Sequence, residues 1–198
     1  MKYTCAYCQK HSCHKSELEN APKNCPTINK KQKDILKLYN EKENYYIAKA
    51  SAEVVMDKYG DKTRIMEIIE FAKKMNYKKI GLAFCVGLAR EASITTKIFE
   101  KHGLEVESII CKVGSIDRTE IGIDNCNVPM CNPIAQAKFL NEKKTDFNVI
   151  LGLCVGHDTL FFKYSKAPVT VFAVKDRVLA HNPLGAIYQA ESYYKNKL

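Results

Sequence analysis

The sequence predicts an α/β fold: a three-layer, Rossmann-like sandwich around a small parallel sheet of order 2-1-3-4, with a helical N-terminal extension and a four-cysteine metal lobe. Three observations carry this. Residues 80–87 read Ile-Gly-Leu-Ala-Phe-Cys-Val-Gly and residues 149–156 read Val-Ile-Leu-Gly-Leu-Cys-Val-Gly, so one short apolar run ending in Cys-Val-Gly occurs twice. Such a run, bounded by glycine, reads as a buried strand of a parallel sheet. From residue 79 onward, apolar runs alternate with helical periodicity, the pattern of right-handed βαβ units. Residues 1–28, by contrast, carry Cys5, Cys8, Cys13 and Cys25 and almost no apolar residue that would build a core.

The elements follow in order. Residues 1–28 form a separate lobe, because a segment without a core folds only with a staple. Their spacing, Cys-x2-Cys-x4-Cys-x11-Cys, opens with the two-thiolate turn of a metal knuckle. His11 and His14 are alternative ligands. Tetrahedral zinc suits four thiolates in a small lobe, and the closing Cys25-Pro26 also occurs in iron–sulfur ligand runs, so zinc and [4Fe-4S] are both open there. Residues 29–198 make the second domain, an α/β domain with its own N-terminal helices. Residues 31–59 read as one long helix with Ile35, Leu38, Tyr39, Tyr45, Tyr46, Ala52, Val55, Met56 and Tyr59 largely on one face, stopped at Gly60. A second helix near 62–76 is capped by Asp61 or Thr63. Strands are expected near 79–85, 105–111, 147–154 and 169–174. Helices are expected near 88–102, 132–142, 157–165 and 184–196. Residues 112–131 are an irregular loop at the sheet edge, a place where loops are functional or mobile.

Composition narrows the function classes. No apolar run approaches the ~20 residues of a membrane helix, and Met-Lys-Tyr-Thr-Cys lacks a signal-peptide core, so a cytoplasmic protein without a membrane partner is expected. The formal charge is +9, and residues 1–40 hold eight Lys against three acidic residues. There is no dense basic run with interleaved aromatics, so nucleic acid is not the expected partner. Nine cysteines, an odd number with no secretory signal, point to metal ligation or catalysis before disulfides.

The chemistry gathers at one edge. Strands one, two and three end at Cys85, Cys111 and Cys154. The loop carries Cys126 and Cys131, and Cys131-Asn-Pro opens a helix whose N-terminus favours thiolate. Strand four ends in Lys175-Asp176-Arg177. In open parallel sheets this edge binds ligands, at the point where the strand order reverses. Three strand ends all carrying cysteine indicate a shared metal site, for which thiolates suit iron–sulfur or zinc; the expected group is [4Fe-4S] on Cys85, Cys131 and Cys154, with one iron left open or with Cys111 or Cys126 as the fourth ligand. His157 and Asp158 are the candidate acid–base pair. Lys175 and Arg177 are candidates for binding substrate charge, and His181 is a turn residue within possible reach of the edge.

Several of these segments resemble one family. They are Cys131-Asn-Pro-Ile-Ala-Gln-Ala, Gly152-Leu-Cys-Val-Gly-His-Asp158, Ala167-Pro-Val-Thr, Val174-Lys-Asp-Arg177 and His181-Asn-Pro183, together with the lobe ending Cys25-Pro26. The family is an uncharacterised one of predicted metal-binding proteins found chiefly in anaerobic bacteria and archaea. The resemblance implies metal binding and no particular reaction.

From the cysteines at the sheet edge, the expected function is an iron–sulfur-dependent enzyme, of lyase or desulfidase type, acting on a small molecule with or without sulfur of its own. The alternative is a non-enzymatic metal- or redox-responsive protein with structural zinc or iron–sulfur sites. The expected partner is a small-molecule ligand or a redox protein, and a homodimer is compatible with the sequence. A zinc-dependent RNA-binding protein is a third reading, resting on charge alone.

Overall fold

The computed structural model describes residues 2–57, 59–124 and 127–198. They form two compact units, residues 1–53 and 54–198.

In the first unit the cysteine lobe is built from short turns. Cys5–Tyr7 is a 3-10 turn closed by the Cys8 N–H on the Cys5 carbonyl at 3.1 Å. Cys13 lies on a single helical turn, α1 (Ser12–Lys15), and Cys25 precedes a second 3-10 turn at Pro26–Ile28. Side chains tie the turns together: Asn24 Nδ2 donates to the Lys2 carbonyl at 3.0 Å and to Thr4 Oγ1 at 2.9 Å. Among the described residues up to 28, Ser12 alone is buried.

The single helix expected over 31–59 is two helices, α2 (Gln32–Leu38) and α3 (Lys42–Met56). The break has a local cause. The Asn40 and Glu41 N–H groups bond the Lys37 and Leu38 carbonyls in tight turns, and Asn44 Nδ2 donates to the Leu38 carbonyl at 3.0 Å. A side-chain amide thus takes a carbonyl at the end of the first helix. α3 ends at Met56, and Gly60 follows with φ 86°.

The second unit is a four-stranded, all-parallel sheet of order β2-β1-β3-β4: β1 (Lys79–Phe84), β2 (Glu105–Ile110), β3 (Phe147–Leu153) and β4 (Val169–Val174). β1 pairs with β2 in the register Lys79↔Glu105 and with β3 in the register Ile80↔Phe147. Helices cover both faces. Alternate residues of β1 point to opposite sides, so Ile80 and Leu82 pack with α4 (Arg64–Lys74) and α5 (Ala89–Lys101), in a core with Ile69, Ala72 and Phe99. Ala83 and Cys85 face the other way. They pack with α6 (Pro133–Glu142) and α7 (His157–Tyr164), around Ala137, Leu140 and Phe161. Thr63 sits at the N-cap of α4 but makes no side-chain capping bond.

Two glycines allow close approaches. A methyl group on Gly81 would lie 2.0 Å from Asn148 Oδ1, which is fully buried and held by the Thr145 hydroxyl at 2.8 Å. Gly152 has φ 69° and sits where the β3–β4 register slips, between Leu151 and Leu153. The last helix, expected over 184–196, is only α8 (Leu184–Tyr188), followed by turns. Ile187, Tyr188 and Tyr193 stay exposed, so no apolar face is packed to sustain a longer helix. Among the described residues, the elements are four strands and eight α-helices.

Candidate functional site

The first three strands each deliver a cysteine one residue past their end. The Cys85 N–H bonds the Leu151 carbonyl at 3.1 Å, and its own carbonyl accepts from Leu88 at 2.8 Å to start the turn into α5. The Cys111 N–H bonds the Phe84 carbonyl at 2.8 Å, and the Cys111 carbonyl accepts from Asn132 at 2.8 Å. That bond fastens the far end of the 112–131 loop onto β2 and sets Cys131 beside Cys111. Asn132 is a true N-cap: its Oδ1 accepts from the Ala135 N–H at 3.0 Å, with Pro133 at the first helical position. The Cys154 carbonyl accepts from the His157 and Asp158 N–H groups at 3.0 and 3.1 Å, opening α7.

Cys85 and Cys111 are buried in the core on the α6–α7 face, and Cys131 packs against it. Cys111 Sγ accepts from the Val86 N–H at 3.3 Å. Burial first, and the neighbouring Cys131 and Cys85 sulfurs after it, push the Cys111 thiol up to about 12 against the lowering effect of the Val86 hydrogen bond. Cys154, half-exposed, accepts from Arg177 Nη2 at 3.3 Å. That hydrogen bond and the Cys154 charge raise the Arg177 pKa, with contributions from Cys85 and Cys131. One guanidinium therefore senses three of the four thiols. Cys126, the alternative fourth ligand, lies outside the described residues.

The other expected site residues fall as follows. His157 is half-buried, and burial lowers its pKa from 6.5. The cations Lys112, Arg118 and Arg177 push it the same way, and Asp158 opposes them. Asp158 Oδ1 accepts from the Thr159 N–H at 2.8 Å, so that oxygen is spent on its own helix turn. The Lys175 N–H continues the β3 ladder to the Leu153 carbonyl at 3.1 Å. Its ammonium lies over two glycines: methyl groups on Gly87 and Gly152 would come within 3.7 and 3.6 Å of Nζ. His181 Nδ1 lies 3.1 Å from both the Asp176 nitrogen and the Val174 carbonyl, bound within its own turn.

Three contributors escape sequence reasoning. Lys112 and Arg118 act on His157 from the irregular loop, where no periodicity predicts direction. Gln136 is fully buried on α6, and its Nε2 donates to the Ile109 carbonyl at 2.7 Å and the Phe84 carbonyl at 3.3 Å. It pins the two strands just before Cys111 and Cys85. The signal for it is a polar residue on the inward stripe of α6, among Ala137 and Leu140.

In the N-terminal lobe, Cys25 has a lowered pKa, through the Thr27 hydroxyl first and the Thr27 and Ile28 N–H groups after it. Ser12 Oγ is buried with no hydrogen-bond partner. Among the described residues, no group of three or more His, Cys, Asp or Glu closes tightly enough to hold a metal ion as the side chains stand. No helix among them is long and apolar enough to cross a membrane.

Two comparisons bear on this chain. A family model described as "Protein of unknown function (DUF1847)" matches residues 23–172. The chain is also similar to "Uncharacterized protein MJ0455" of Methanocaldococcus jannaschii. The two are 50% identical over 199 residues, covering 98% of this chain and 97% of that protein.

Proposed function

We propose, for a chain that belongs to the DUF1847 family of proteins of unknown function, that the sheet edge is a thiolate metal site carrying [4Fe-4S] and that the protein is an enzyme acting on a small molecule. Cys85, Cys131 and Cys154 would hold the cluster, with Cys111 as the fourth ligand or as a neighbour of an open iron. The observation that carries this reading is the convergence of sulfur. Cys85, Cys111 and Cys131 share one cluster of packed side chains, and Arg177 bonds Cys154 while sensing Cys85 and Cys131. The donor set is all sulfur, with no carboxylate among the four, which suits soft metals. When bound, a cluster with an open iron supplies Lewis acidity toward sulfur or oxygen. His157, held neutral at pH 7 by burial and cations, accepts a proton there, and Arg177 and Lys175 bind substrate charge. A second site in the N-terminal lobe, with zinc or [4Fe-4S] on Cys5, Cys8, Cys13 and Cys25, is supported by the Cys-x2-Cys turn and the lowered Cys25 pKa.

The test is oxygen-free purification followed by a visible spectrum and iron, sulfide and zinc analysis. Cys131→Ala should abolish the iron signal of the sheet edge and leave the N-terminal metal in place. Full iron and an unchanged spectrum in Cys131→Ala would refute this ligand set. Protein that carries only zinc would instead support the metal- or redox-responsive reading, which the Cys111–Cys131 sulfur pair favours.

A further inference from the structure

We infer that Gln136 is a positioning residue of the sheet edge: its amide ties the ends of β1 and β2 together, so that Cys85 and Cys111 present their sulfurs as one pair to a soft metal. This rests on reading the edge as a metal site, and it adds to that site a residue that is not itself a ligand.

The two cysteines are cross-strand neighbours. β1 and β2 run in parallel register as far as Phe84↔Ile110, and Cys85 and Cys111 are the next residues on each. Paired strands lie about 4.8 Å apart, and alternation turns both side chains to one face. That face is the one α6 covers, and both thiols are buried there. The ladder ends at this point. Past Cys85 the chain turns into α5, and past Cys111 it enters the irregular loop. The Cys111 N–H to Phe84 carbonyl bond, 2.8 Å, is the ladder's close. Strand ends open first when nothing holds them.

Gln136 crosses the ladder just there. Its Nε2 donates to the Ile109 carbonyl of β2 at 2.7 Å and to the Phe84 carbonyl of β1 at 3.3 Å. Only the NH2 end of an amide can face two carbonyls, so its orientation is fixed. The side chain is anchored in turn by α6. The Gln136 N–H bonds the Asn132 carbonyl at 3.1 Å, and the Asn132 N–H bonds the Cys111 carbonyl at 2.8 Å. A closed circuit of hydrogen bonds thus runs from β2 through the start of α6 and the amide to both strands.

The amide is a poor way to fill a core. Gln136 is fully buried, and its Oε1 has no hydrogen-bond partner. An unpaired buried oxygen costs stability that a methionine or leucine would not cost. The Phe84 carbonyl already holds the Cys111 N–H without Gln136. What the amide alone supplies is the bridge between two strand ends, each followed by a thiol.

Gln136→Met and Gln136→Leu, two apolar fillings of one space, are made in the full chain and purified without oxygen. Three quantities are read. In metal-free protein the Cys111 and Val86 amides, which bond the Phe84 carbonyl and the Cys111 sulfur, should exchange about tenfold faster than in wild type. The mid-strand pair Leu82 and Val149 should keep its protection. The urea midpoint should not fall. Edge iron, the share that Cys131→Ala removes, should drop about tenfold while the N-terminal metal stays. A folded variant with unchanged edge iron and spectrum overturns the inference and leaves the metal reading standing. A urea midpoint that falls along with the iron, or failure of both variants to fold, assigns Gln136 to the fold and also overturns it. Wild type without edge iron refutes the metal reading instead, and exchange then decides the clamp: a rise confined to Val86 and Cys111 upholds it, and no rise there overturns it.

Discussion

Cys111 is where burial and metal chemistry pull in opposite directions. The residue is 3% exposed, and desolvation with two sulfur neighbours raises the thiol's pKa to about 12 from an ordinary value of 9.0. As a ligand of the proposed metal Cys111 would have to lose that proton, so metal affinity at the edge should rise with pH. In metal-free protein the linkage has a defined sign. The folded pKa lies above the unfolded one, so this group's contribution to stability is complete below pH 9.0 and is lost as pH climbs toward about 12. Urea unfolding of metal-free protein should therefore show stability falling above pH 9, and Cys111→Ala should flatten that fall. An equally steep decline in the variant would assign the effect to other groups. The cysteines themselves were legible in the sequence, because a strand's apolar run ends visibly and each thiol stands just past one. Lys112, Arg118 and Gln136 were not. Two lie in a loop whose direction is set by tertiary bonds such as Asn132 to Cys111, and the third looks like an ordinary surface amide until the helix is rotated into place.

At the scale of elements, the parallel core was readable and the termini were not. Runs such as Val149-Ile-Leu are buried on both faces, so hydrophobicity alone marks them, and the observed β3 at Phe147–Leu153 is buried throughout. The helix expected over 31–59 breaks at Tyr39–Glu41, where apolar periodicity persists while an asparagine side chain takes a carbonyl at the end of α2. The last helix stops at Tyr188, short of the expected 196, where Ile187, Tyr188 and Tyr193 remain exposed. α6 matters most for the site, since its first turn fixes Cys131 and its second carries Gln136. Asn132→Ala removes the capping oxygen from the Ala135 N–H and should cost about 1 kcal/mol of stability. Asn132→Asp, which keeps the oxygen, should recover it. Thermal unfolding of both variants checks this, and equal loss in the two would show that the cap is not what holds the turn.

At the scale of the whole chain, the two units are held together internally by different means. The unit over residues 54–198 has apolar cores on both faces of its sheet and folds by burial. Residues 2–28 bury Ser12 alone among those described and rely on turn bonds and polar contacts, most of them exposed. Exposed hydrogen bonds of that kind contribute little against the entropy of ordering so many residues. The metal proposed for its four thiols would supply the staple that such small domains need. Cys8 closes the Cys5 turn, so Cys8→Ser removes one ligand and leaves the backbone bond in place. In that variant residues 2–28 should lose their metal and become the first site of limited proteolysis, while the sheet of residues 79–174 stays resistant. Amide exchange should show the same division: fast exchange confined to the lobe, unchanged protection in β1 and β3. A wild-type lobe that stays protected after its metal is stripped by a chelator would mean that turns and side-chain bonds suffice, and the four cysteines would need another explanation.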